Sequence, residues 1–234
     1  MTSSTLRVAL LGNPNTGKTT WFNRLTGLRQ RTGNFPGVTV EKKTGHFDLP
    51  CHTVELLDLP GTYSLSARSP DEAVVVETLH GRFRDLPPPH AILCIADATN
   101  LQRHLFLVLQ LIDHGLPLVL VLNMWDDAQR RGITLDPAHL SARLGCPVIP
   151  AVGTTGQGLP EIKAALARLA DHPATAPASV IDWPQPVLHA TEHIRQAAAH
   201  TARLDLTPAE ARRLLFDPAP APAAHLHWSP PHPP

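Results

Sequence analysis

The chain has 234 residues, of which 43% are hydrophobic, enough for one full-sized domain with a core and a smaller appendage. Basic and acidic residues balance at 20 each and form no continuous basic stripe, which argues against nucleic acid and anionic membranes as partners. The longest apolar runs, AILCIA and LPLVLVL, are too short to cross a bilayer, so we expect a soluble chain. Three distant cysteines without CxxC spacing suit a reducing cytosol.

Short, β-branched apolar runs alternate with helical patterns over the first 172 residues. The runs are LRVALLG, HTVELLDL, HAILCIAD, LPLVLVLN and CPVIPAV. Such runs are typical of buried parallel strands joined by helices, which predicts an α/β fold with a doubly wound, mostly parallel sheet. The segment KKTGHFDLP, one short turn before HTVELLDL, predicts one antiparallel edge strand.

Helix signals and a change in composition divide the chain into three parts. Ser69 and Thr207 each precede a proline and stand three residues before a glutamate, which predicts two capping boxes. Near Pro173 the sequence changes to PATAPAS, two amphipathic stretches follow, and the end is rich in proline. We therefore expect a main domain over residues 1–172, a short helical domain over 173–216 and a proline- and histidine-rich tail or linker over 217–234.

Residues 12–19 read GNPNTGKT, which matches the phosphate-loop pattern GxxxxGK[ST]. A predicted strand precedes the match and a predicted helix follows it, a context that a chance glycine turn would not need. The loop N–H groups would point at a β-phosphate, Lys18 would reach the β and γ oxygens, and the Thr19 hydroxyl would bind Mg²⁺. The predicted phosphate-binding residues are Gly12, Asn13, Asn15, Thr16, Gly17, Lys18, Thr19 and Thr20.

The tetrapeptide NMWD at residues 123–126 follows the apolar strand LVLVL, at the edge where α/β sheets bind ligands. It resembles the NKxD guanine box of GTPases, with Met124 in place of the lysine. A carboxylate such as Asp126 accepts hydrogen bonds from both N1–H and the exocyclic amine of guanine, a pattern that adenine lacks. Asn123, Met124 and Asp126 therefore favour GTP over ATP, and the alternative is that Asn123 and Asp126 only cap the next helix.

Two candidate switch segments lie between these motifs. In DLPG, Asp58 would hold Mg²⁺ through water, and the Gly61 N–H would contact a γ-phosphate. Residues 33–39, GNFPGVT, are too polar and glycine-rich for a strand and predict a loop that includes Gly37. Thr39 would complete the Mg²⁺ shell while the γ-phosphate is present, and loss of that phosphate would release the loop. Either segment alone could be an ordinary turn, but their order and separations favour a switch.

The chain closely resembles the ferrous-iron transport protein B family, which are bacterial iron-uptake membrane proteins. The resemblance covers roughly residues 6–172 and rests most on GNFPGVTVEKKTG and the methionine-containing guanine box, because very many NTPases share a phosphate loop. It implies a Ras-like GTP-binding G domain over residues 1–172, followed by a small helical domain. It also implies a slow GTP hydrolase at the cytoplasmic face of the bacterial inner membrane, with a membrane-embedded transporter portion as partner. It leaves a homo-oligomer open.

The resemblance further implies that Asn15, three residues before the loop lysine, binds a K⁺ ion that bridges the phosphates. Thr62 stands where Ras-like GTPases have a glutamine and lacks its reach, and no arginine finger is evident, so hydrolysis should be slow unless another charge helps. Water would then be positioned mainly by switch backbone, with Asn15, Lys18, Thr39 and Gly61 as the catalytic set. The alternative for Asn15 is an amide that only braces the loop.

Two departures from the family pattern affect what we expect. The loop that closes over the guanine 6-oxo group has Val152, Gly153 and Thr154, and the usual serine or threonine at 153 is missing. This predicts a weaker grip on the base and rapid GDP release. The helical domain is short, which puts its regulatory role in question.

Two other functions compete with a switch of ferrous iron uptake. A soluble, potassium-dependent GTPase of ribosome assembly or tRNA modification is the alternative, and the neutral charge argues against its RNA partner. A metal site among the histidines of the tail, His225, His227 and His232, lacks organised cysteines or carboxylates. We expect those histidines to be solvated.

Overall fold

The computed structural model describes residues 4–27, 30–66, 69–171 and 180–216. Internal contacts divide the chain into two compact units, residues 1–180 and 181–234. The predicted boundary at Pro173 and the predicted tail over 217–234 lie outside the described residues.

The first unit alternates strands and helices along the chain, as the apolar runs predicted. Its strands are β1 (Ser4–Gly12), β2 (Gln30–Asn34), β3 (Glu41–Asp48), β4 (His52–Asp58), β5 (Ala91–Asp97), β6 (Leu118–Asn123) and β7 (Val148–Pro150). Its helices are α1 (Lys18–Thr26), α2 (Pro70–Leu79), α3 (Leu101–His114), α4 (Trp125–Arg130), α5 (Pro137–Leu144) and α6 (Leu159–Asp171). The second unit contains α7 (Gln185–Ala202) and α8 (Pro208–Phe216).

The strands form one sheet in the order β2-β3-β4-β1-β5-β6-β7. The pairings of β4 with β1, β1 with β5, β5 with β6 and β6 with β7 are parallel, and β3 is antiparallel to both of its neighbours. The predicted α/β fold with one antiparallel strand near the edge is therefore confirmed. Outside that strand lies β2, and the loop predicted over residues 33–39 begins later than expected, because Gly33 and Asn34 pair with Lys42 and Glu41.

Two apolar clusters cover the two faces of the sheet. Alternate residues of β5 belong to different clusters: Ile92 and Cys94 pack with the cluster that contains α3, whereas Leu93 and Ile95 pack with the cluster that contains α1 and α6. All four are at most 1% exposed. Burial on both faces explains why the central strands read as continuous apolar runs.

Capping hydrogen bonds form at both of the predicted capping boxes, at the starts of α2 and α8. At α8, the Glu210 N–H donates to Thr207 Oγ1 at 3.3 Å and the Thr207 N–H donates to Glu210 Oε2 at 2.8 Å. At α2, the Glu72 N–H donates to Ser69 Oγ at 3.3 Å. Among the described helices, none is long and apolar enough to span a membrane.

Within the second unit, aromatic contacts join the two ends. The rings of Trp183 and Phe216 stack with their centroids 5.9 Å apart, and the Arg212 guanidinium lies 5.2 Å from the Trp183 ring. Few apolar side chains of this unit are buried; Leu206 and Ala211 are the buried ones among residues 181–216. The pair of helices therefore has little core of its own.

Candidate nucleotide-binding site

The predicted phosphate loop lies between the end of β1 and the start of α1, at the carboxyl edge of the parallel strands. Its glycines are required by close approaches. A side chain at Gly12 would collide with the Ile95 carbonyl of β5, and one at Gly17 would collide with the Asn123 amide. Gly17 also has φ 85° as the N-cap of α1, which favours glycine. The loop is thus seated against two neighbouring strands.

Lys18 and Asp58 meet within this edge. The Lys18 ammonium donates to the Asp58 carboxylate, and both side chains are largely buried, at 13% and 9% exposure. Asp58 reaches this place because it pairs with Leu10 at the end of β1. Thr19 and Thr20 follow on the first turn of α1 and are exposed. The structure therefore brings together the predicted phosphate-binding lysine and the predicted magnesium carboxylate, and Thr19 is the next residue after that lysine.

The DLPG segment packs directly on the phosphate loop. A Cβ added to Gly61 would lie 3.2 Å from the Pro14 nitrogen, which is tighter than most real contacts. The Thr62 N–H donates to the Gly12 carbonyl at 3.3 Å. The buried Thr62 hydroxyl donates to the Ser64 carbonyl at 2.6 Å and lies 3.4 Å from a Glu72 carboxylate oxygen. Thr62 therefore braces the segment, and its hydroxyl is committed to these neighbours.

Asn123 joins three separate segments of the chain. Its Nδ2 donates to the Thr16 carbonyl at 2.7 Å, and its Oδ1 accepts from the Gly153 N–H at 2.9 Å. The residue is 3% exposed. The N-cap position of α4 is taken by Met124, in the left-handed conformation at φ 57° and without a side-chain cap bond. Asn123 therefore ties the phosphate loop to the loop after β7 and does not cap the helix.

Two neighbouring carboxylates on α4 differ in their surroundings. Asp127 is 25% exposed and pairs with Arg130 at 3.1 Å and Arg131 at 2.6 Å. Asp126 is 53% exposed, with its nearest cation, Arg130, at 3.8 Å. The Asp126 carboxylate is thus more exposed and less engaged by arginines than the Asp127 carboxylate.

The residues from Val152 to Gly158, which we call the 152–158 loop, include Val152, Gly153 and Thr154. These three were predicted to close over the guanine base. Val152 is buried and its N–H donates to the Gln157 carbonyl at 3.0 Å. Arg24 of α1 donates from Nε to the Gly153 carbonyl at 2.9 Å and from Nη2 to the Thr154 carbonyl at 2.7 Å. Sequence reasoning missed Arg24, because its partners are backbone groups more than a hundred residues away and leave no motif.

The other predicted residues differ in their burial and in their hydrogen bonds. Asn15 is exposed at φ 65°, and its side chain makes no hydrogen bond with any described residue. Asn13 is buried, and within the described chain its Nδ2 has no partner. Gly37 and Thr39 lie in a turn beside a groove of about 610 Å³ that Pro70 also lines. Thr39 makes no hydrogen bond to described residues.

No cluster of three or more histidine, cysteine or acidic residues that could hold a metal ion is found in the described ranges. The tail histidines His225, His227 and His232 lie outside those ranges. The three cysteines are free thiols: Cys51 is exposed, and Cys94 and Cys146 are buried.

The sequence profile described as "Ferrous iron transport protein B" matches residues 6–166 of this chain. This match covers well over half of the sequence. The chain belongs to the ferrous iron transport protein B family. It is 43% identical over 198 residues to the Fe(2+) transporter FeoB of Salmonella typhimurium, an alignment that covers 83% of this chain and 25% of that protein. The chain therefore spans about a quarter of the length of the curated family members it matches.

Solved structures of this family share the fold. The cytosolic domain of L. pneumophila FeoB is 38% identical with a TM-score of 0.76, covering 88% of this chain and 78% of that one. The cytosolic domain of the T. maritima FeoB iron transporter in a GDP form is 33% identical with a TM-score of 0.81, covering 92% of this chain and 83% of that one. These relatives do not favour the alternative role in ribosome assembly or tRNA modification.

Proposed function

We propose that this chain binds guanine nucleotide, hydrolyses GTP to GDP and phosphate, and acts as the cytosolic switch of a ferrous iron transporter. The observation that carries the proposal is Asn123, whose amide joins the Thr16 carbonyl of the phosphate loop to the Gly153 N–H. One connected set of hydrogen bonds thereby joins the proposed phosphate site to the proposed base site. The GDP form of the T. maritima relative and the Fe(2+) transporter among the relatives support it.

Magnesium fits the oxygen ligands that this edge of the sheet supplies. Thr19 and Asp58 offer a hydroxyl and a carboxylate near the Lys18 ammonium, and hard cations prefer such oxygens. When bound with nucleotide, the ion would neutralise phosphate charge, while Lys18 would exchange its contact with Asp58 for phosphate oxygens. Thr39, which lines the groove beside Pro70, would join them by a movement of its loop when the γ-phosphate is present. That rearrangement is the switch we propose, with Gly61 as the γ-phosphate contact of the second segment.

Potassium at Asn15 is the finer part of the proposal. If Asn15 only braced the loop, its amide would bond to neighbouring groups, but it makes no hydrogen bond with any described residue and is exposed. An amide oxygen free in this way suits a weakly hydrated cation beside phosphate. A cation there would supply the transition-state charge that an arginine finger supplies elsewhere.

The first test compares nucleotide binding and turnover by the purified chain. We expect fluorescent GDP to bind, excess unlabelled GDP but not ADP to displace it, and GTP to be hydrolysed with Mg²⁺ present. Lys18→Ala should abolish both binding and turnover. Equal displacement by ADP would overturn the assignment of the base, and full activity of the lysine variant would overturn that of the phosphate loop.

The potassium test measures steady-state GTP hydrolysis in potassium chloride and in sodium chloride at equal ionic strength. We expect K⁺ to accelerate the wild type at least about tenfold, as part of the thousandfold or more that an arginine finger contributes elsewhere. The variants at Asn15 must suit its backbone conformation. Because Asn15 has φ 65°, alanine would add backbone strain, whereas glycine removes the amide without strain. GTP hydrolysis by Asn15→Gly should no longer be accelerated by K⁺. Asn15→Asp, which keeps an oxygen ligand and tolerates this conformation, should retain it; equal rates of the wild type in both salts would refute the K⁺ site.

The role in iron uptake belongs to the full-length protein, of which this chain corresponds to about a quarter in the relatives. We expect cells that rely on the full-length protein for ferrous iron to lose uptake of radioactive Fe²⁺ when Lys18 is replaced by alanine. The protein level in the membrane serves as the control. Unchanged uptake by a stably expressed variant would separate nucleotide binding from transport.

A further inference from the structure

Arg24 is the side chain that fixes the 152–158 loop to α1. Its Nε and Nη2 donate to two consecutive carbonyls, Gly153 O at 2.9 Å and Thr154 O at 2.7 Å. Hydrogen bonds from a charged guanidinium are stronger than those between neutral groups, and a planar fork holds both acceptors in one orientation. Two successive peptide planes are therefore fixed by one residue outside the loop.

The loop backbone leaves room for this guanidinium. Gly156 has φ 88°, and a Cβ at this position would lie 2.6 Å from Arg24 Nη1 and 3.2 Å from Cζ. Any larger residue would push the Arg24 side chain away or strain the turn. The glycine and the arginine thus fit each other.

Holding the carbonyls also sets the direction of the N–H groups on the opposite side of each peptide. In a planar trans peptide the C=O and the following N–H point in opposite directions. With the carbonyls of Gly153 and Thr154 turned to Arg24, the N–H groups of Thr154 and Thr155 are directed away from it. The Gly153 N–H is already taken by Asn123. The N–H groups of Thr154 and Thr155 donate to no described atom and are the free donors of this turn.

We propose that Arg24 is a positioning residue for guanine recognition, which orients these free donors toward the 6-oxo group of the base and so sets how long the nucleotide stays bound. The inference rests on the proposed function. It gains weight from Gly153, which has no side chain to anchor the loop at this point. Apart from Arg24, the Asn123 amide is the described side chain outside the loop that hydrogen-bonds its backbone, and hydrogen bonds such as that between Val152 and Gln157 lie within the loop.

The test measures dissociation of fluorescent GDP by stopped flow after mixing with excess unlabelled GDP. Arg24→Gln should release GDP about tenfold faster, since two charge-assisted hydrogen bonds that order the loop are lost. Arg24→Lys keeps the charge but cannot donate to both carbonyls from one planar group. Its rate of GDP dissociation should therefore lie between those of the wild type and Arg24→Gln. Arg143→Gln is the matched control, because Arg143 also lies in the last turn of a helix that ends at a glycine and is exposed; its rate should equal the wild type's.

A base without the 6-oxo group separates positioning from a general effect on the fold. A fluorescent 2-aminopurine nucleoside diphosphate has hydrogen at position 6 and offers the loop no acceptor. If Arg24 acts through the donors of the loop, Arg24→Gln and the wild type should release this analogue at the same rate. A merely structural role would accelerate release of both nucleotides equally.

The outcomes distinguish this inference from the proposed function. In one outcome, the wild type retains GDP while Arg24→Gln and Arg24→Lys release it at the wild-type rate. That result overturns the inference and leaves the proposed function standing. Equal acceleration for GDP and the 2-aminopurine analogue also overturns it. Failure of the wild type to retain GDP at all overturns both. Should Arg24→Gln not fold, as judged by circular dichroism, the comparison of Arg24→Lys with wild type decides the question.

Discussion

At the scale of single residues, Asp126 and Asp127 form a natural pair for testing base selection. Asp126 is the more exposed carboxylate, whereas Asp127 is engaged by two arginines. A carboxylate accepts from guanine N1–H and N2–H. An asparagine amide instead accepts from N1–H and donates to a 2-oxo group, which xanthine has and guanine lacks. We expect Asp126→Asn to weaken GDP binding about a hundredfold and to strengthen binding of xanthosine diphosphate, as measured by competition with fluorescent GDP.

Asp127→Asn is the control for that exchange. It removes the same charge one residue further on, and its ion pairs with exposed arginines contribute little to stability. Its affinity for GDP should stay within about threefold of the wild type. A loss of GDP binding in this variant, with Asp126→Asn unaffected, would show that the base contacts Asp127 instead.

The individual residues also show where sequence reasoning stops. Lys18, Asp58 and Asn123 were predicted from motif spacing together with the predicted strand before each motif. The structure brings them to one edge, because each follows or ends a parallel strand. Arg24 could not be predicted, since an arginine that binds backbone carbonyls leaves no pattern in the sequence. The position of Thr39 could not be predicted either, because no motif specifies which state of a switch loop is populated.

At the scale of elements, strand β5 and the segment before β7 place two thiols in the core. Burial raises the pKa of Cys94 to about 12, with a smaller contribution from Cys146, and burial raises the pKa of Cys146 to about 12 as well. A thiol that stays protonated reacts slowly. At pH 8 we expect a disulfide reagent to modify Cys51 rapidly and the other two only after unfolding, as counted by absorbance.

Removing the exposed thiol provides the control for this experiment, because Cys51→Ser should abolish the fast reaction.

The raised pKa values of Cys94 and Cys146 also affect the stability of the fold. The unfolded chain returns these thiols to their ordinary pKa of 9.0, so above that pH it releases protons that the folded chain retains. The free energy of unfolding should therefore fall as the pH rises through 9. Two rapidly reacting thiols in the native protein would contradict the burial on which both expectations rest.

Elements were predicted well where a single pattern dominates. The five apolar runs became parallel strands, and both capping boxes begin helices. The strand β2 was missed because QRTGN is polar and exposed at every position. It has no apolar pattern that would predict a strand, although it pairs with β3. Edge strands gain their order from a neighbour's free hydrogen-bonding groups, which only the folded sheet supplies.

At the scale of the whole molecule, the two units differ in how much core they contain. The first has a seven-stranded sheet with an apolar cluster on each face, and it holds every predicted site residue. Within the described part of the second, residues 181–216, the buried apolar side chains are Leu206, between the two helices, and Ala211 of α8. Chains of fewer than about 40 residues rarely fold without a disulfide, a metal or a partner. This asymmetry predicts which half can stand alone.

We therefore expect residues 1–180 to fold alone and to bind fluorescent GDP within about twofold of the full chain's affinity, because no predicted ligand is removed. A peptide of residues 181–234 should show much less helix by circular dichroism than α7 and α8 contain, since isolated helices of this length are marginal in water. Adding the peptide to residues 1–180 serves as the control for lost contacts. If the truncated chain bound GDP tenfold more weakly and the peptide restored its affinity, the helical unit would have a direct part in nucleotide binding.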